Sequence, residues 1–327
     1  MKLVRFLRKG KAKPKIGVMT EKYIIDVNKA YRAALEEEGA TSKKGGNSIA
    51  ATMVEFFEKG ETALAQATKA LDFLEGKGFK TSDEAVLTSK DVQLLAPIEN
   101  PPKVIGLAGN YVSHIRERRK DRPLPKNIAL FSKSTGKYGV VGPGEDIVVP
   151  NNIKKLDYEL ELGIVIGKRG KYIPAEKSYE HIGGYTIFND ICDRWYLMDA
   201  PRWQWYGMKA QDSFSVYGPC IETEIDDPNN LKMTLKVDDE LRQDGATSDM
   251  INPVPQLVSH ISSLVTLEVG DVIATGTCEG NSMTWGRREN IESGGKWLEH
   301  GQVVECWIEN IGTLTNKVKF EEPKYRT

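Results

Sequence analysis

The strongest constraint on this chain is a stretch in which acidic and hydrophobic residues alternate, residues 157–162, followed directly by the apolar run at 163–167. In a β-strand this alternation places Asp157, Glu159 and Glu161 on one face and the hydrophobic side chains on the other. Neighbouring carboxylates would then lie roughly 6.5–7 Å apart. At an effective dielectric constant of about 20, each ionised pair would repel by roughly 2.5 kcal/mol. A divalent cation on that face would turn the repulsion into coordination. A solvated acidic face on an edge strand is the alternative, and the stretch alone does not decide between the two.

Composition limits the class of protein and the partners it can have. The chain has 327 residues, enough for one large domain or two smaller ones, and a formal net charge of −1. Because positive and negative charges nearly balance, we expect neither nucleic acid nor an anionic membrane as a partner. No apolar run approaches the ~20 residues that span a bilayer.

The N-terminus and the cysteines bear on where the protein resides. Residues 1–15 carry seven basic residues and no acidic one, but they lack the apolar segment of a secretory signal. A transit peptide would share this composition, although residues 3–7 are more simply explained as a first strand. The four cysteines form no CxxC pair, so the sequence predicts neither a zinc site nor a disulfide framework. We therefore expect a reduced, cytoplasmic protein.

The pattern of predicted elements changes near residue 95. Before it, a short β start is followed by helical periodicity at residues 31–38, 47–57 and 62–74. Three prolines within residues 96–102 disfavour both a helix and a central strand, which indicates a hinge. The order of elements predicts a β-dominated α+β fold on a large sheet or roll, with residues 1–95 as a smaller N-terminal α+β region and residues 96–327 as the main domain. In the main domain, strands are predicted at 104–107, 147–149, 158–166, 184–189, 234–237, 271–275 and 303–308, and helices at 111–119 and 254–262.

Several common motifs are incomplete. Gly106 and Gly109 do not complete GxGxxG, and residues 134–137 lack the upstream glycine of a P-loop because position 131 is Phe. Neither the GxSxG elbow nor HExxH occurs. A nucleotide cofactor and a serine-hydrolase triad are therefore not expected.

A candidate acid–base pair lies in residues 106–117, a segment typical of a strand, a tight turn and a helix. Asn110 suits the N-cap of that helix. His114 and Glu117 are three residues apart, so they share a helix face and can interact. A carboxylate beside an imidazole orients the ring and raises its basicity, as a general base requires. A chance pair on a surface helix would show the same spacing.

Further acidic and basic candidates follow apolar segments. Asp190 comes directly after the predicted strand at 184–189 and would complete an oxygen-rich metal site with Glu159 and Glu161, unless it only forms an Asn-Asp turn. Lys209 follows an aromatic stretch and would neutralise an enolate or carboxylate, unless it is an ordinary surface lysine.

A hydroxyl-containing turn is the weakest of these signals. Thr275-Gly276-Thr277 ends a predicted strand, and its hydroxyls and backbone N–H groups would bind a carboxylate.

Taken together and in their order along the chain, these segments resemble the fumarylacetoacetate hydrolase family. The resemblance covers about residues 104–320, and the basic β start of the chain is similar as well. The motifs that carry it are G-N-Y-x-x-H-x-x-E at 109–117, D-Y-E-x-E-L-x-x-V-I-G at 157–167, N-D-x-x-x-R at 189–194, K-x-x-D-[ST]-F-x-x-x-G-P at 209–219, R-Q-D-G-x-T-S-D-M-I at 242–251 and L-E-x-G-D-V-I-A-T-G-T at 267–277.

The resemblance implies a fold and a metal site. The fold would be a distorted β-roll with a metal ion at its mouth, usually in a homodimer. Glu159, Glu161 and Asp190 would hold Mg²⁺ or Mn²⁺, and Asp157 would be a supporting residue rather than a ligand.

The resemblance also implies roles for residues around that metal. His114 and Glu117 would be the base dyad, on a segment that can close over the substrate. Lys209 would polarise the substrate. The residues implied to bind the substrate are Tyr111, Arg194, Gln243 and Thr277.

The implied reaction is metal-dependent hydrolysis of a C–C bond in a 1,3-dicarbonyl compound. The substrate would be an acylpyruvate, another diketo acid or a cyclic diketone. The His–Glu dyad would activate water, and the metal and the lysine would stabilise the leaving enolate. A lyase on the same site is the alternative, because the fold does not fix the reaction: an oxaloacetate-type decarboxylase, or a dehydratase, hydratase or isomerase of 2-oxo acids. A non-enzymatic metal- or ligand-binding protein is a third hypothesis.

The chain departs from the family pattern next to the predicted pocket. These departures indicate either a reshaped pocket or dimer contact, or only local repacking. An aromatic rim would favour a bulkier or cyclic diketone over a small acylpyruvate. The departures are Cys192-Asp193 and Trp195 around Arg194, the aromatic residues 195–206, Cys278 in place of a common proline, and an elaborated segment at 280–297 with Trp285, Arg287 and Arg288.

Overall fold

The computed structural model describes residues 1–40, 48–80, 83–117, 119–289, 291–292 and 294–323, apart from the side chains of Arg287 and Arg288. The predicted helix start at residue 47 and those two side chains therefore lie outside the described residues. The helices are α1 (Val27–Glu37), α2 (Met53–Lys59), α3 (Glu61–Gly76), α4 (Val112–Arg116), α5 (Gly136–Gly139), α6 (Trp195–Met198), α7 (Trp205–Lys209), α8 (Val254–Leu264) and α9 (Ser282–Arg288), with short 3₁₀ turns at Ser89–Asp91, Ala175–His181 and Thr247–Asp249.

Strands dominate the rest of the described chain, which confirms the predicted β-dominated α+β class. They are β1 (Lys2–Arg8), β2 (Lys15–Met19), β3 (Ile24–Asp26), β4 (Val86–Leu87), β5 (Val92–Leu95), β6 (Val104–Ala108), β7 (Ala129–Ser132), β8 (Val140–Val141), β9 (Asp146–Pro150), β10 (Leu156–Asp157), β11 (Leu160–Ile166), β12 (Ile182–Asp190), β13 (Cys192–Asp193), β14 (Ser215–Glu222), β15 (Lys232–Val237), β16 (Glu240–Ala246), β17 (Val272–Thr277), β18 (Val303–Ile308) and β19 (Gly312–Glu321).

One large sheet combines strands from residues 1–95 with strands from residues 104–277. Its order is β4-β3-β2-β1-β14-β12-β11-β17-β6-β7, with β5 added beside β1 and β8 beside β14. The junction is the antiparallel pairing of β1 with β14, in which Lys2 and Leu3 lie opposite Glu222 and Ile221. Strands from both sides of the predicted boundary at residue 95 belong to this one sheet. The division into two domains at that residue stays a prediction.

A second sheet and the N-terminal helices cover the two faces of the large sheet. The second sheet has the order β16-β15-β18-β19-β9. Alternate residues of β11, among them Leu162 and Ile164, belong to the same hydrophobic cluster as Leu235 of β15 and Val304 of β18. Val165, which points the other way, belongs to the cluster that contains residues of α2 and α3. The central strands are thus buried on both faces, and this holds the site-bearing end of β11 in place.

The predicted strand at 158–166 is interrupted in the structure. Leu156–Asp157 pairs with β13, and the longer strand begins only at Leu160. The reason is that side-chain oxygens replace a neighbouring strand at the break. The N–H of Tyr158 donates to Asp157 Oδ1 over 2.9 Å, and the N–H of Glu159 donates to Asn189 Oδ1 over 3.2 Å. The predicted strand at 158–166 therefore begins two residues later than expected, and Glu159 lies just before it.

Helix α2 begins later than the periodicity predicted. Residues 48–52 are not helical, and Thr52 is the N-cap. Thr52 Oγ1 accepts from the N–H of Glu55 over 3.1 Å, and the Glu55 carboxylate accepts from the N–H of Ala51 over 2.7 Å. In a capping box the glutamate would accept from the N–H of the N-cap residue itself, Thr52, whereas here it accepts from the residue before it. The T-x-x-E pattern in the sequence could have located this helix start.

Two further findings concern the cysteines and the bilayer. All four cysteines are buried and free of disulfides. Within the described ranges, no helix is both long enough and apolar enough to cross a membrane.

Candidate active site

Three acidic side chains from two adjacent strands meet in the large sheet. Glu161 lies in β11, Glu159 precedes that strand, and Asp190 ends β12, which pairs with β11. The N–H of Asp190 donates to the carbonyl of Glu159 over 2.8 Å, which holds the two segments together. One carboxylate oxygen from each residue lies within 4.8 Å of the others, and all three residues are buried. This group of acids could hold a metal ion.

Two buried lysines contact these acids. Lys209 Nζ donates to Glu159 and, over 2.5 Å, to Asp190 Oδ2. Lys133 Nζ donates to the other oxygen of Asp190 and, over 2.8 Å, to the carbonyl of Ile191. Burial lowers the pKa of Lys133, with Asp190 acting in the opposite direction. Burial would also lower the pKa of Lys209, but the negative charges around it, chiefly Asp190, raise it above its ordinary value.

Arg194 and Asp157 support the site beside Glu159. Arg194 donates through Nη2 to Glu159 and through Nε to Asp157 Oδ2, which is 2.7 Å away. The other oxygen of Asp157 accepts the N–H groups of Tyr158 and Ser282, over 2.9 and 2.7 Å. Asp157 is thus engaged on both oxygens, which is the geometry expected of a supporting residue.

This cluster has one more acid than cation. None of its seven members is more than 6% exposed. In the part of the chain that the structure describes, Glu161 has no cationic side chain hydrogen-bonded to it, and it accepts the N–H of Gly276 over 2.7 Å. The acids are Asp157, Glu159, Glu161 and Asp190, and the cations are Lys133, Arg194 and Lys209.

The missing positive charge affects Glu161 most, because it is the acid of the cluster without a hydrogen-bonded cation among the described residues. Burial, together with the charges of Asp190 and Glu159, raises the pKa of Glu161 well above its ordinary value. Burial acts in the same direction on Glu159, but the charges of Arg194 and Lys209 hold its pKa well below the usual range. A site of carboxylate oxygens that lacks one positive charge fits a divalent cation that prefers oxygen ligands.

We expect the binding of a divalent cation to displace a proton from Glu161. Its raised pKa means that the metal-free carboxyl keeps its proton at pH values where an ordinary glutamate is ionised, and a ligand must be deprotonated. Cation affinity should therefore rise with pH until that pKa is passed. Titration calorimetry in two buffers of different ionisation enthalpy should report the release of protons on cation binding. The Glu161→Gln variant should release none. Equal heats in both buffers for the wild type would contradict the expectation.

His114 and Glu117 form a hydrogen-bonded pair at the C-terminal end of α4. His114 Nδ1 and Glu117 Oε1 are 2.8 Å apart, and Glu117 Oε2 accepts the N–H of Gly280 over 2.9 Å. The side chain of Glu117 is 1% exposed, whereas that of His114 is 11% exposed and lines the cavity described below. With Nδ1 engaged, Nε2 is the ring nitrogen left to exchange a proton with a ligand.

The N-cap predicted for this helix was wrong. The N-cap is Tyr111, and the N–H of Ser113 is satisfied by Asp249 Oδ2 at 2.8 Å. Asn110 is instead buried between two distant segments. Its Nδ2 donates to the carbonyl of Thr275 over 2.9 Å, and its Oδ1 accepts the N–H of Asn252 over 3.0 Å. These contacts anchor the segment before α4 to the end of β17.

A cavity of about 260 Å³ connects the dyad with the acidic cluster. Its charged and polar wall contains His114, Glu159, Glu161, Arg194 and Lys209. The rest of the cavity wall is mainly apolar and aromatic. These residues are Leu107, Ala108, Ile115, Pro125, Ala129, Phe131, Leu197, Trp203, Trp205 and Met208.

The structure places only two of the four predicted substrate-binding residues on this cavity. Arg194 and Thr277 line it, while Tyr111 and Gln243 do not. The Tyr111 side chain is fully buried in the hydrophobic core, with its hydroxyl 3.7 Å from Met233 Sδ.

The polar groups of Gln243 and Thr277 are used inside the protein. Gln243 Oε1 accepts the N–H of Leu160 over 2.9 Å, and its Nε2 donates to Thr277 Oγ1 over 2.8 Å. Thr277 Oγ1 in turn donates to the carbonyl of Leu160 over 2.8 Å. Both side chains thus brace the start of β11, and the predicted role of Gln243 on the substrate has no geometric support here.

Two site residues escaped the sequence reasoning. Lys133 lies just after β7 and just before the incomplete P-loop pattern at 134–137, and a lysine directly behind an apolar strand is the sequence signal that could have located it. Asn281 is fully buried, and its Nδ2 donates to Glu159 Oε1 over 3.2 Å. It caps α9 within the elaborated segment, and no local pattern marks it.

Comparison with known proteins decides the family. The family model described as Fumarylacetoacetate (FAA) hydrolase C-terminal matches residues 103–319, about two thirds of the chain. The chain belongs to the fumarylacetoacetate hydrolase family. The resemblance inferred from the ordered motifs is thereby confirmed.

Similar members of this family have names from more than one reaction class. A mitochondrial oxaloacetate tautomerase of Bos taurus is 34% identical over 322 residues, which is 97% of this chain and 91% of that protein. Fumarylacetoacetate hydrolase from psychrophilic Exiguobacterium antarcticum is a solved structure with 29% identity and a TM-score of 0.71, covering 98% of this chain and 100% of that one. Maleylpyruvate hydrolase from Sphingobium sp. SYK-6, solved in complex with manganese(II) ion and pyruvate, has 25% identity, a TM-score of 0.71 and coverage of 98% and 100%.

These comparisons support the prediction that the protein is an enzyme, but they do not determine which reaction it catalyses. Both a tautomerase and two hydrolases are among the similar proteins. The predicted hydrolase class and the cytoplasmic location therefore stay predictions, and the mitochondrial relative does not favour the latter.

Proposed function

We propose that the protein is a divalent-cation-dependent enzyme that interconverts the keto and enol forms of a 2-oxo acid. The observation that carries this proposal is that His114, held by Glu117, lines the same cavity as an acidic cluster that lacks one positive charge. The similarity to an oxaloacetate tautomerase over 97% of the chain supports a proton transfer as the reaction.

Glu159, Glu161 and Asp190 would hold the cation. Mg²⁺ or Mn²⁺ is proposed because both prefer oxygen ligands, and a similar protein was solved with manganese(II). When bound, such a cation would supply Lewis acidity to the oxygens of a chelating 2-oxo acid and so favour its enolate. With Glu161 deprotonated and a dication bound, the cluster would carry one excess positive charge, which favours an anionic substrate.

His114 would carry the proton. Nε2 would take it from the carbon next to the 2-oxo group; the C–H electron pair becomes the C=C bond, and the carbonyl pair moves to oxygen. The imidazolium then gives the same proton to that oxygen, so no atom is gained or lost. Glu117 accepts from Nδ1, which fixes the tautomer and stabilises the imidazolium.

Lys209 would contribute positive charge next to the developing enolate. An ammonium group has three donors, and two of those on Lys209 are used by Glu159 and Asp190. No further hydrogen bond of Lys209 Nζ is found among the described residues, so the third donor would serve a ligand in the cavity that Lys209 lines. A fixed donor of this kind stabilises charge as it forms.

Hydrolysis of a C–C bond in a 1,3-dicarbonyl acid is the second candidate. It is favoured by the structural similarity to two hydrolases, one of them with pyruvate bound. His114 would take a proton from water, and the resulting hydroxide would add to the distal carbonyl. The C–C bond then breaks, its electron pair forms the enolate of a pyruvate unit, and the proton on His114 is returned to that enolate.

One experiment separates the two reactions. Oxaloacetate and 2,4-dioxo acids would be supplied with Mn²⁺, with enol absorbance followed in time and product masses measured at the end. Faster decay of the enol with unchanged mass supports tautomerisation, whereas two fragments whose masses sum to substrate plus water identify hydrolysis. EDTA should abolish either activity and Mg²⁺ or Mn²⁺ should restore it. Full activity without a metal would overturn the proposal.

The remaining expectations concern assembly and location. We propose a homodimer that acts on a small molecule in the cytoplasm, and light scattering coupled to size exclusion would measure the mass of the particle.

A further inference from the structure

The cavity has a charged end and an aromatic end, and a row of rings connects them. Lys209 Nζ lies 4.9 Å from the centroid of the Phe131 ring. Phe131 stacks on Trp205 with centroids 5.0 Å apart and an interplanar angle of 9°. Trp205 is followed by Trp203, whose centroid is 4.9 Å away at a tilt of 43°. The row therefore begins at a lysine that contacts two acids of the cluster and runs outward from it.

The outer end of this row is open to solvent. Trp203 is 58% exposed, although it lines the cavity and packs against another ring. An exposed indole at the mouth of a pocket gains from being covered by an apolar ligand, because aromatic side chains present large areas for burial. Leu197 and Met208 extend the apolar wall on the same cavity.

A small substrate would leave most of this wall unused. Oxaloacetate has only a second carboxylate beyond its 2-oxo acid group, and a carboxylate gains nothing from stacked rings. Besides Arg194 and Lys209, Arg122 also lines the cavity. A guanidinium can pair with an anion, but it can equally stack on a planar group.

We propose that the substrate is a 2-oxo acid whose far end is a planar apolar group, such as an aryl or conjugated alkenyl substituent, placed against Phe131, Trp205 and Trp203. The inference rests on the proposed function only for the 2-oxo acid end, which the charged cluster would hold. The aromatic row supplies the selectivity for the other end. An acid of the 2,4-dioxo class with a substituent at C4 has the required form.

The test compares two matched substrates that differ only in that substituent. With Mn²⁺ present, 2,4-dioxo-4-phenylbutanoate should have a kcat/KM at least about tenfold above that of 2,4-dioxopentanoate, since even one methylene in an apolar pocket is worth roughly tenfold or more. Trp203→Ala should lower this ratio by about tenfold. Trp205→Ala should lower it as well, provided that circular dichroism shows an unchanged fold. A ratio of one or less for the wild type would overturn the inference, and so would a preference for a 4-carboxylate analogue.

The matched control is Tyr206→Ala. Tyr206 is 76% exposed, adjoins Trp205 in sequence and is not among the residues that line the cavity. This variant should keep the wild-type ratio. If it lowers the ratio as much as Trp203→Ala does, the selectivity does not come from the aromatic row.

Direct binding separates a failure of this inference from a failure of the proposed function. Calorimetry with both compounds and Mn²⁺ needs no turnover. Tighter binding of the phenyl compound, weakened about tenfold by Trp203→Ala, would support the aromatic subsite even if no product of any kind forms. Turnover of both compounds with equal dissociation constants would leave the proposed function standing and would refute the inference.

Discussion

Replacing Glu161 by Gln should leave the metal-free protein at least as stable as the wild type, whereas the same replacement at Glu159 should destabilise it by about 3–5 kcal/mol. The two residues are chemically identical and two positions apart, but they have opposite electrostatic surroundings. Glu159 accepts from Arg194 and Lys209, so its neutralisation leaves each of these buried cations with one acidic partner instead of two, Asp157 for Arg194 and Asp190 for Lys209. Glu161 accepts the N–H of Gly276, a bond that a glutamine can also accept.

Glu161 and Glu159 should change the stability of the folded protein with pH in opposite directions. The folded-state pKa of Glu161 is raised, so the folded protein binds more protons than the unfolded chain above the ordinary pKa of glutamate, and wild-type stability falls as pH rises. Glu161→Gln removes that fall. The pKa of Glu159 is lowered, so its contribution is present above the ordinary pKa and is lost as pH falls through the folded-state value.

Both variants, Glu161→Gln and Glu159→Gln, should weaken cation binding. Each would lose a direct ligand, and the loss of affinity should exceed the roughly 10–100-fold that removal of an outer-shell partner costs. Urea unfolding in EDTA and calorimetric titration with Mn²⁺ would measure the two effects. Asp244→Asn, at an exposed carboxylate, is the control and should change neither. Equal destabilisation by Glu161→Gln and Glu159→Gln would show that the charge imbalance assigned to Glu161 is wrong.

The acids of the site were predictable because local patterns encode them. Alternation placed Glu159 and Glu161 together, and the strand before Asp190 was apparent from its apolar run. What alternation could not show is the break before Leu160. That break depends on side chains from neighbouring residues and from β12, which replace the ladder bonds.

Roles that depend on distant partners could not be deduced. The motif around Arg242 located Gln243, but its amide bonds to segments 34 and 83 residues away, which turns it into a brace for β11. Lys133 approaches Asp190 across 57 positions in the sequence. The pairing of β1 with β14 joins the N-terminal strands to the rest of the large sheet in the same non-local way. Secondary structure and titratable pairs of close spacing were therefore accessible, while long-range partners were not.

Replacing His114 by Ala should lower kcat by roughly 10²–10⁴-fold while cation affinity stays near that of the wild type. A general base contributes about this factor, and His114 is not one of the three residues that could hold the metal. The measurement is kcat on the best 2-oxo acid, together with a Mn²⁺ titration. His260→Ala, in α8 and away from the cavity-lining residues, is the matched control and should change neither quantity.

Glu117→Gln tests how the dyad works rather than whether it is needed. One oxygen of the Glu117 carboxylate is hydrogen-bonded to Nδ1 of His114, and the other accepts the N–H of Gly280. A glutamine has only one acceptor oxygen, so one of the two must lose its partner. We expect a fall in kcat smaller than that of His114→Ala, because the imidazole remains but is no longer held in one tautomer. If Glu117→Gln left kcat unchanged while His114→Ala abolished it, the carboxylate would not be orienting the base. If His114→Ala abolished Mn²⁺ binding as well, His114 would have to be a ligand, and the proton transfer would need another base.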